Sequence, residues 1–253
     1  FTPASAASGS STSDIRQCYD ATMSELFFVE QPITGSRAEL VEAEAQHLAK
    51  VMRAAVGDEV ILFDGSGAEF TAKVARLAKS VVELEILERR EVNLEPRVEL
   101  TLAVALPKGE RQKWLVEKLT ELGTARLVPL MSERGVAQPV DSALARLRRA
   151  VIEASKQCGR NRLMEIAPPR EALEYFADGS LRVKLIAEPG GERLGSLAQD
   201  IDHLACAIGP EGGFTPAEVK AALENQWRPV SLGRSILRIE TAAIAVAAWS
   251  ALS

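Results

Sequence analysis

Cysteine and histidine are scarce in this chain of 253 residues, and their scarcity excludes several kinds of site. The three cysteines, Cys18, Cys158 and Cys206, are odd in number and far apart, which indicates reduced thiols rather than a disulfide framework. The two histidines have no short-range cysteine or histidine pair of the kind that binds zinc, so we expect no metal. A Ser-His-Asp triad is not expected either, because the G-x-S-x-G elbow is missing.

Long hydrophobic runs and a secretion signal are also missing. Hydrophobic residues make up 47% of the chain, but their runs are too short or too interrupted by charge to span a bilayer. No N-terminal stretch has the basic, apolar and small-residue order of a secretory signal. We therefore expect a cytoplasmic protein that does not contact membranes and that buries one or two hydrophobic cores.

The net charge of −5 weakly opposes nucleic-acid binding, but basic residues are concentrated locally. Between residues 146 and 162 the only acid is Glu153, and the basic residues are Arg146, Arg148, Arg149, Lys156, Arg160 and Arg162. This segment is either a nucleic-acid contact or a solvated helix face, and charge alone does not decide between them.

Three regions follow one another along the chain. Residues 1–22 are rich in Ser, Thr and Ala without an apolar period, which indicates a tag, a leader or a disordered extension. Residues 23–93 contain several short strand patterns and one helical pattern, which together predict a small β-barrel. After a polar linker at 91–97, strands and helices alternate through 94–253 and predict an α/β domain with a mostly parallel sheet.

The element boundaries follow from hydrophobic periods and turn signals. In the first domain we predict strands at 26–29, 59–63, 69–76 and 81–87, a helix at 43–54 and a hairpin turn at 64–67. In the second we predict strands at 98–106, 127–131, 183–187, 204–208 and 230–232, and helices at 111–122, 140–158, from Thr215 onward and at 240–252. The last of these helices carries one charge, at its first residue, so it is buried or forms an interface.

Two glycine-bearing loops, 209–214 and 232–238, follow predicted strands of the α/β domain. Ligands of open α/β sheets bind at such strand ends. Neither loop has the Walker A or G-x-G-x-x-G pattern, and Glu211 would repel a polyphosphate. The loops would suit S-adenosylmethionine, which combines a neutral adenosine with a positive sulfonium. A purely structural turn is the simpler interpretation of these residues alone.

Six segments of the α/β domain, taken in order, resemble the bacterial 16S ribosomal RNA (uracil-N3)-methyltransferase family of the SPOUT class. They are Leu106-Pro107-Lys108-Gly109-Glu110-Arg111, Thr120-Glu121-Leu122-Gly123, Ser132-Glu133-Arg134, Gln157-Cys158-Gly159-Arg160-Asn161, 209–213 and 232–242. The segments 47–53 and 62–65 are similar to the PUA-like domain of that family. The resemblance runs from about Glu25 to Leu252.

The resemblance implies a specific fold and activity. The C-terminal domain would be a SPOUT α/β domain with a trefoil knot, and residues 23–93 would be a PUA-like domain that helps to hold RNA. The chain would be a homodimer and would use S-adenosylmethionine to methylate N3 of a uridine in the 16S RNA of the small ribosomal subunit.

The resemblance also implies roles for individual residues. Cofactor contacts would come from Ala187, Glu188, Gly209, Pro210, Glu211, Gly212, Gly213, Leu232, Gly233, Ile236 and Leu237, with 188–191 as a third wall. Contacts to RNA would come from Lys50, Arg53, Lys108, Arg111, Gln157 and Arg160. Arg234 and Arg238 would stabilise the uracil anion, and Glu240 would act as a base or orient Arg238.

Structural interpretations of the same residues stay open. Glu240 is equally well explained as a helix N-terminal acid, and the RNA candidates as surface ion pairs. We predict structural roles for His47, for the 64–65 turn and for Cys158 and Cys206.

Three other functions also remain open: a methyltransferase for transfer RNA or another ribosomal nucleotide, an RNA-binding module without activity, and a small-molecule nucleotide enzyme. Binding of S-adenosylmethionine rather than ATP or NAD would separate the methyltransferases from the last two.

Overall fold

The computed structural model describes residues 25–136, 140–196 and 201–252. The prediction for residues 1–22 lies outside these ranges. No helix in the described ranges is long and apolar enough to cross a membrane.

Two parts of unequal length, called the N-terminal half (up to residue 93) and the C-terminal half (from residue 94), each contain one sheet. The N-terminal half forms a five-stranded sheet in the order β1-β3-β4-β5-β2. Its strands are β1 (Leu26–Phe28), β2 (Arg37–Val41), β3 (Glu59–Phe63), β4 (Ala68–Leu77) and β5 (Val81–Glu91). Strand β1 runs parallel to β3, and the other neighbours are antiparallel. Among the described residues no pairing joins β1 to β2, so the closed barrel that the sequence predicts is not confirmed. Strand β2 was not predicted.

Alternation of exposed and buried residues builds the core of this sheet. In β2 the even positions Ala38 and Leu40 are buried while their neighbours face solvent. The predicted helix at 43–54 is shorter and irregular: α1 (Glu42–Gln46) continues as a π-helical turn (His47–Val51). It ends there because Arg53 takes a left-handed backbone conformation, with φ of 56°.

The C-terminal half contains a parallel sheet in the order β12-β10-β11-β6-β7-β8, with β9 also paired to β7. Its strands are β6 (Glu99–Val104), β7 (Arg126–Met131), β8 (Glu165–Ile166), β9 (Arg170–Glu171), β10 (Val183–Arg193), β11 (His203–Ile208) and β12 (Arg228–Ser231). Its helices are α2 (Arg111–Glu121), α3 (Asp141–Cys158), α4 (Ala172–Phe176), α5 (Pro216–Glu224) and α6 (Ile239–Ala251). The predicted α/β class with a parallel sheet is confirmed.

Both faces of this sheet are covered, which explains the continuous apolar character of β6. Leu102 of β6 packs in one core with α2, α3 and α6, whereas Ala103 belongs to a second core with α4 and α5. Helix α3 ends at Gly159 in the left-handed conformation. Helix α5 begins with the predicted capping box of Thr215 and Glu218.

Strand β10 departs most from its prediction, which ended at residue 187. It continues to Arg193 through an irregularity, so that Ala187 and Glu192 both lie opposite Val230 of β12. Residues 188–191 therefore form a bulge between two short parallel pairings. The two-residue strands β8 and β9 and the short helix α4 were not predicted.

Candidate active site

The two glycine loops and the bulge of β10 meet at one edge of the parallel sheet. Strands β12, β10 and β11 are adjacent and parallel, so their carboxyl ends lie side by side. The first loop (209–213) leaves β11, the second loop (232–238) leaves β12, and the bulge (188–191) interrupts β10 between them. The carboxyl edge of a parallel sheet is where α/β proteins bind their ligands.

The first loop is a tight turn fixed from two sides. The N–H of Gly213 donates to the carbonyl of Pro210 at 2.8 Å, and Gly213 has a φ of 67°, which favours glycine. A Cβ atom on Gly209 would lie 3.0 Å from the ring of Phe214. Arg134, from the loop after β7, donates through Nη1 to the carbonyl of Gly212 at 2.8 Å. Arg134 belongs to the segment Ser132-Glu133-Arg134 that resembles the family, but the sequence did not predict its hydrogen bond to the first loop.

The second loop is open and cationic. Ile236 is 89% exposed, and Gly233 has a φ of 145°. Arg234 and Arg238 are exposed, and neither guanidinium makes a hydrogen bond or an ion pair with a described residue. Arg238 is also the N-cap residue of α6, without a side-chain cap. Both arginines are therefore available to a ligand.

The bulge of β10 supplies a carboxylate and a close backbone approach. Burial raises the pKa of Glu188 above its usual value. A Cβ atom on Gly191 would lie 2.5 Å from the backbone of Pro229, so only glycine fits against β12 there. Ala187 is half-buried and packs against the core of the domain.

Glu240 is a buried acid in the first turn of α6, where it is 5% exposed. Its Oε1 lies 3.5 Å from Nη1 of Arg111, and no described residue forms a hydrogen bond with its buried Oε2. Nη2 of Arg111 lies 3.6 Å from Oε1 of Glu211. Arg111 thus connects the first loop to α6, and one oxygen of Glu240 is free to accept a hydrogen bond. The predicted contact of Glu240 with Arg238 is not formed.

The structure contradicts the prediction that Arg160 contacts RNA, because this side chain is 5% exposed. Its Nε and Nη2 donate to the two carboxylate oxygens of Glu95. Nη1 donates to the carbonyls of Thr120 and Thr124, and Nη2 also donates to that of Gly123. Every N–H donor of the guanidinium is therefore occupied, and no donor remains for a phosphate.

The other RNA candidates keep accessible side chains. Lys50, Arg53, Lys108 and Gln157 are exposed. Arg111 is partly exposed, but its guanidinium faces the two acids of the site. These five residues remain predictions.

Three of the four sites for which we predicted structural roles have contacts that suit them, whereas Cys158 is exposed and does not fill the packing role predicted for it. His47 Nε2 is hydrogen-bonded to a carboxylate oxygen of Glu25. Asp64 accepts from the N–H groups of Ile33 and Ser66, each at 3.0 Å, and so closes the hairpin turn. Cys206 is fully buried in the sheet.

A cavity of about 270 Å³ lies at the opposite, amino edge of the sheet, lined in part by Arg126, Arg170 and Tyr175. Its cations are already paired: Arg170 lies 2.7 Å from Asp178, and Arg126 lies 3.2 Å from Glu165. The carboxyl edge, with its free arginines and unpaired carboxylate oxygen, is therefore the better candidate for chemistry.

Two family models match the chain. The RNA methyltransferase domain model matches residues 94–251, and the RNA methyltransferase PUA domain model matches residues 41–87. Ribosomal RNA small subunit methyltransferase E from a Synechocystis strain is 32% identical over 221 residues, covering 84% of this chain and 72% of the relative.

Two solved structures resemble this one across both halves. A methyltransferase from Legionella pneumophila, in complex with bound SAM, has a TM-score of 0.82 at 31% identity over 89% of this chain and 96% of that one. Ribosomal RNA small subunit methyltransferase E from Neisseria gonorrhoeae, bound to S-adenosyl methionine, has a TM-score of 0.81 at 31% identity over 89% and 95% of the two chains. The chain therefore belongs to the RNA methyltransferase family and is related to the ribosomal RNA small subunit methyltransferase E proteins.

Proposed function

We propose that this enzyme uses S-adenosylmethionine to methylate N3 of a specific uridine in the 16S RNA of the small ribosomal subunit. The observation that carries the proposal is the combination, at one sheet edge, of glycine loops, two unpaired arginines and a buried carboxylate with one free oxygen. The names of the relatives support the RNA substrate and the cofactor. The target atom, N3, is the part that the resemblance in the sequence adds.

The carboxyl edge fits S-adenosylmethionine in its shape and charge. Residues without large side chains, Gly212, Gly213 and Gly233, leave the backbone accessible to the cofactor. Glu188 and Glu211 offer carboxylates to its positive groups. Ala187, Gly209, Pro210, Leu232, Ile236 and Leu237 complete the set of residues that we propose to hold it. When bound, the cofactor supplies an electrophilic methyl group.

The chain's own residues prepare the uracil. Its N3 carries a proton at neutral pH, and Oε2 of Glu240 is a buried carboxylate oxygen without a hydrogen-bond partner among the described residues. Arg234 and Arg238, both exposed, are the residues that we propose to stabilise the negative charge that then develops on O2 or O4. Alignment of N3 in an enclosed site can contribute up to about 7–11 kcal/mol in favourable cases.

Glu240 is therefore a candidate base rather than a residue that orients Arg238. Its observed partner is Arg111, which holds the carboxylate from one side and leaves the other oxygen free. The target nucleotide must be unstacked before its N3 can approach the buried Oε2 of Glu240. Lys108, Arg111 and Gln157 are proposed to contact the RNA around it, and Lys50 and Arg53 to contact it from the N-terminal half.

The wider architecture belongs to the same proposal. We assign residues 23–93 to a PUA-like barrel and 94–253 to a SPOUT domain with a trefoil knot, with 1–22 as an extension. Strand β10 pairs with β12 twice, before and after its bulge, and this irregular backbone at the carboxyl edge supports the proposal of a knotted chain there. The apolar helix α6, whose one charged residue is Glu240, is the element through which we propose a homodimer. The cytoplasm is the proposed compartment.

The experiment is methyl transfer from labelled S-adenosylmethionine to small ribosomal subunits that lack the modification, with nucleosides identified by mass spectrometry. We expect N3-methyluridine at a single site. Arg238→Ala should lose transfer, and Lys220→Ala, an exposed cation on α5, should retain it. Another methylated nucleoside would overturn the N3 assignment, and transfer only to other RNAs would overturn the substrate.

A further inference from the structure

The two halves of the chain share a polar contact that the proposed chemistry does not use. It consists of the ion pair Glu44–Lys156 and the packing of residues 64–67 against residues 161–163, together with the ion pair Glu95–Arg160, which ties the connection between the halves to the C-terminal half. We call these contacts the joint. Its members come from α1 and the β3–β4 turn in the N-terminal half, from the connection between β5 and β6, and from α3 and the segment after it in the C-terminal half.

The ion pair between Glu44 and Lys156 is largely buried. Lys156 Nζ lies 2.6 Å from Oε1 of Glu44, and the two side chains are 12% and 17% exposed. Oε2 of Glu44 also accepts from the N–H of Phe28 at 3.3 Å, so this carboxylate links β1 to α3. A buried ion pair adds little net stability compared with apolar side chains, but it fixes the geometry of the groups it joins.

Backbone hydrogen bonds cross the joint at the hairpin turn. The N–H of Gly67 donates to the carbonyl of Asn161, and the N–H of Leu163 donates to the carbonyl of Gly65, both at 3.3 Å. A Cβ atom on Gly67 would lie 2.7 Å from the guanidinium of Arg162. The Arg162 side chain could move aside, but Gly67 also has a φ of 101°, a backbone conformation that L side chains rarely adopt, so this position of the turn favours glycine.

The connection between the halves is also held in place. Glu95 lies between β5 and β6 and is clamped by Arg160 through both carboxylate oxygens. Asn161 donates to the carbonyl of Val92 at 2.9 Å. This segment was predicted to be a linker, but its contacts make it part of the packed structure. The two solved relatives cover 89% of this chain, across both halves, with TM-scores of 0.82 and 0.81.

We propose that Glu44, Lys156, Glu95 and Arg160 are positioning residues for large RNA substrates, an inference that rests on the proposed function. The joint fixes the distance between the exposed cations of the N-terminal half, such as Lys50, and the site at the carboxyl edge. An RNA that is already bound to the cations of the N-terminal half then binds the carboxyl-edge site in an intramolecular step. Loosening the joint lowers that effective concentration without altering the site itself.

The test compares three variants of the full chain. Lys156→Met breaks the buried pair, Glu44→Lys combined with Lys156→Glu restores it in reverse, and Glu83→Gln removes a control pair with Arg76 on the exposed surface of β4 and β5. Each is measured for KM, kcat and Kd with small ribosomal subunits, for Kd with S-adenosylmethionine, and for transfer to a short RNA hairpin carrying the target uridine.

We expect Lys156→Met to raise KM and Kd for the subunits about tenfold, a modest part of the avidity that linked sites give. Its Kd for S-adenosylmethionine and its rate with the hairpin should stay unchanged, and the reversed pair should recover most of the loss. The control should match the wild type.

Unchanged KM and Kd for the subunits in a folded Lys156→Met protein would overturn the inference. An equal loss with the hairpin would also overturn it, because the pair would then act on the site. If the wild type transfers no methyl group to subunits, the proposed function fails, and the subunit Kd values still decide whether the joint positions RNA.

Discussion

Arg160 and Arg238 are arginines of two motifs in the same domain, but their surroundings are opposite. Arg160 is buried in the joint, and each of its N–H donors meets a carboxylate or a carbonyl oxygen. Arg238 is exposed beside the second loop and has no hydrogen bond or ion pair with a described residue. A satisfied buried guanidinium stabilises a structure, whereas an unpaired one at a ligand-binding edge is available for recognition.

The largest expected difference between the two arginines is in the free energy of unfolding after each is substituted. Arg160→Met leaves Glu95 and three carbonyl groups without their donor, so we expect the free energy of unfolding to fall by about 3–5 kcal/mol. Arg238→Met should change it by less than about 0.5 kcal/mol. Urea denaturation measures both, and equal effects would contradict the comparison.

Methyl transfer should depend directly on Arg238, whose substitution hardly changes stability. Removing one preorganised donor from a developing anion costs roughly 10²–10³ in kcat, so Arg238→Ala should lose about that factor. Its Kd for S-adenosylmethionine, measured by calorimetry, should remain close to the wild-type value. Near-wild-type turnover would remove Arg238 from the catalytic group.

Charges on the N-terminal half should have a smaller and different effect. Replacing Lys50 and Arg53 by alanine should weaken binding to small subunits by roughly tenfold and make it less sensitive to salt, since fewer phosphate contacts are made. The control is Lys79→Ala, an exposed cation between β4 and β5. The same loss in that control would show a general effect of net charge.

The smallest expected effect is on the pH dependence of stability, through Asp178, which is in neither the joint nor the carboxyl edge. A hydrogen bond from Ser180 and the pairing with Arg170 lower the pKa of Asp178 from 3.8 to about 2. A lowered folded pKa stabilises the protein above pH 3.8, and this contribution is lost as the pH falls from 3.8 towards 2. Because the site is partly exposed, Asp178→Asn should cost only about 1 kcal/mol at pH 7. Denaturation of both proteins across this pH range should show the difference disappear at low pH.

The sequence predicted the elements with a clear hydrophobic period and missed those without one. Strands β3, β6, β7 and β11 and helices α2, α3 and α6 lie close to their predicted bounds. Strands β8 and β9 have two residues each, too few for a period. The edge strand β2 reads Arg-Ala-Glu-Leu-Val, and its pairing with β5 depends on residues far away in the chain.

For the candidate site, the sequence predicted which loops meet at one edge of the sheet, but not which of its charged side chains are already paired. The loops 209–213 and 232–238 followed predicted strands, so their meeting at one edge could be expected. The partner of Glu240 could not be predicted, because Arg111 lies in α2, at the other end of the domain in sequence. Arg160 was misassigned for the same reason: a basic residue shows its charge in the sequence, but its burial depends on the packing of α2 and the connection at Glu95.

Strand order has a consequence for how this chain is made. The N-terminal sheet uses residues 26–91 only, so its strands can pair while the rest of the polypeptide is still being synthesised. The central pair of the second sheet joins β6 to β11, near the opposite end of the chain, and such distant pairings form slowly. Until β11 leaves the ribosome, the backbone N–H and C=O groups along one edge of β6 have no partner strand, and the nascent protein can aggregate through that edge.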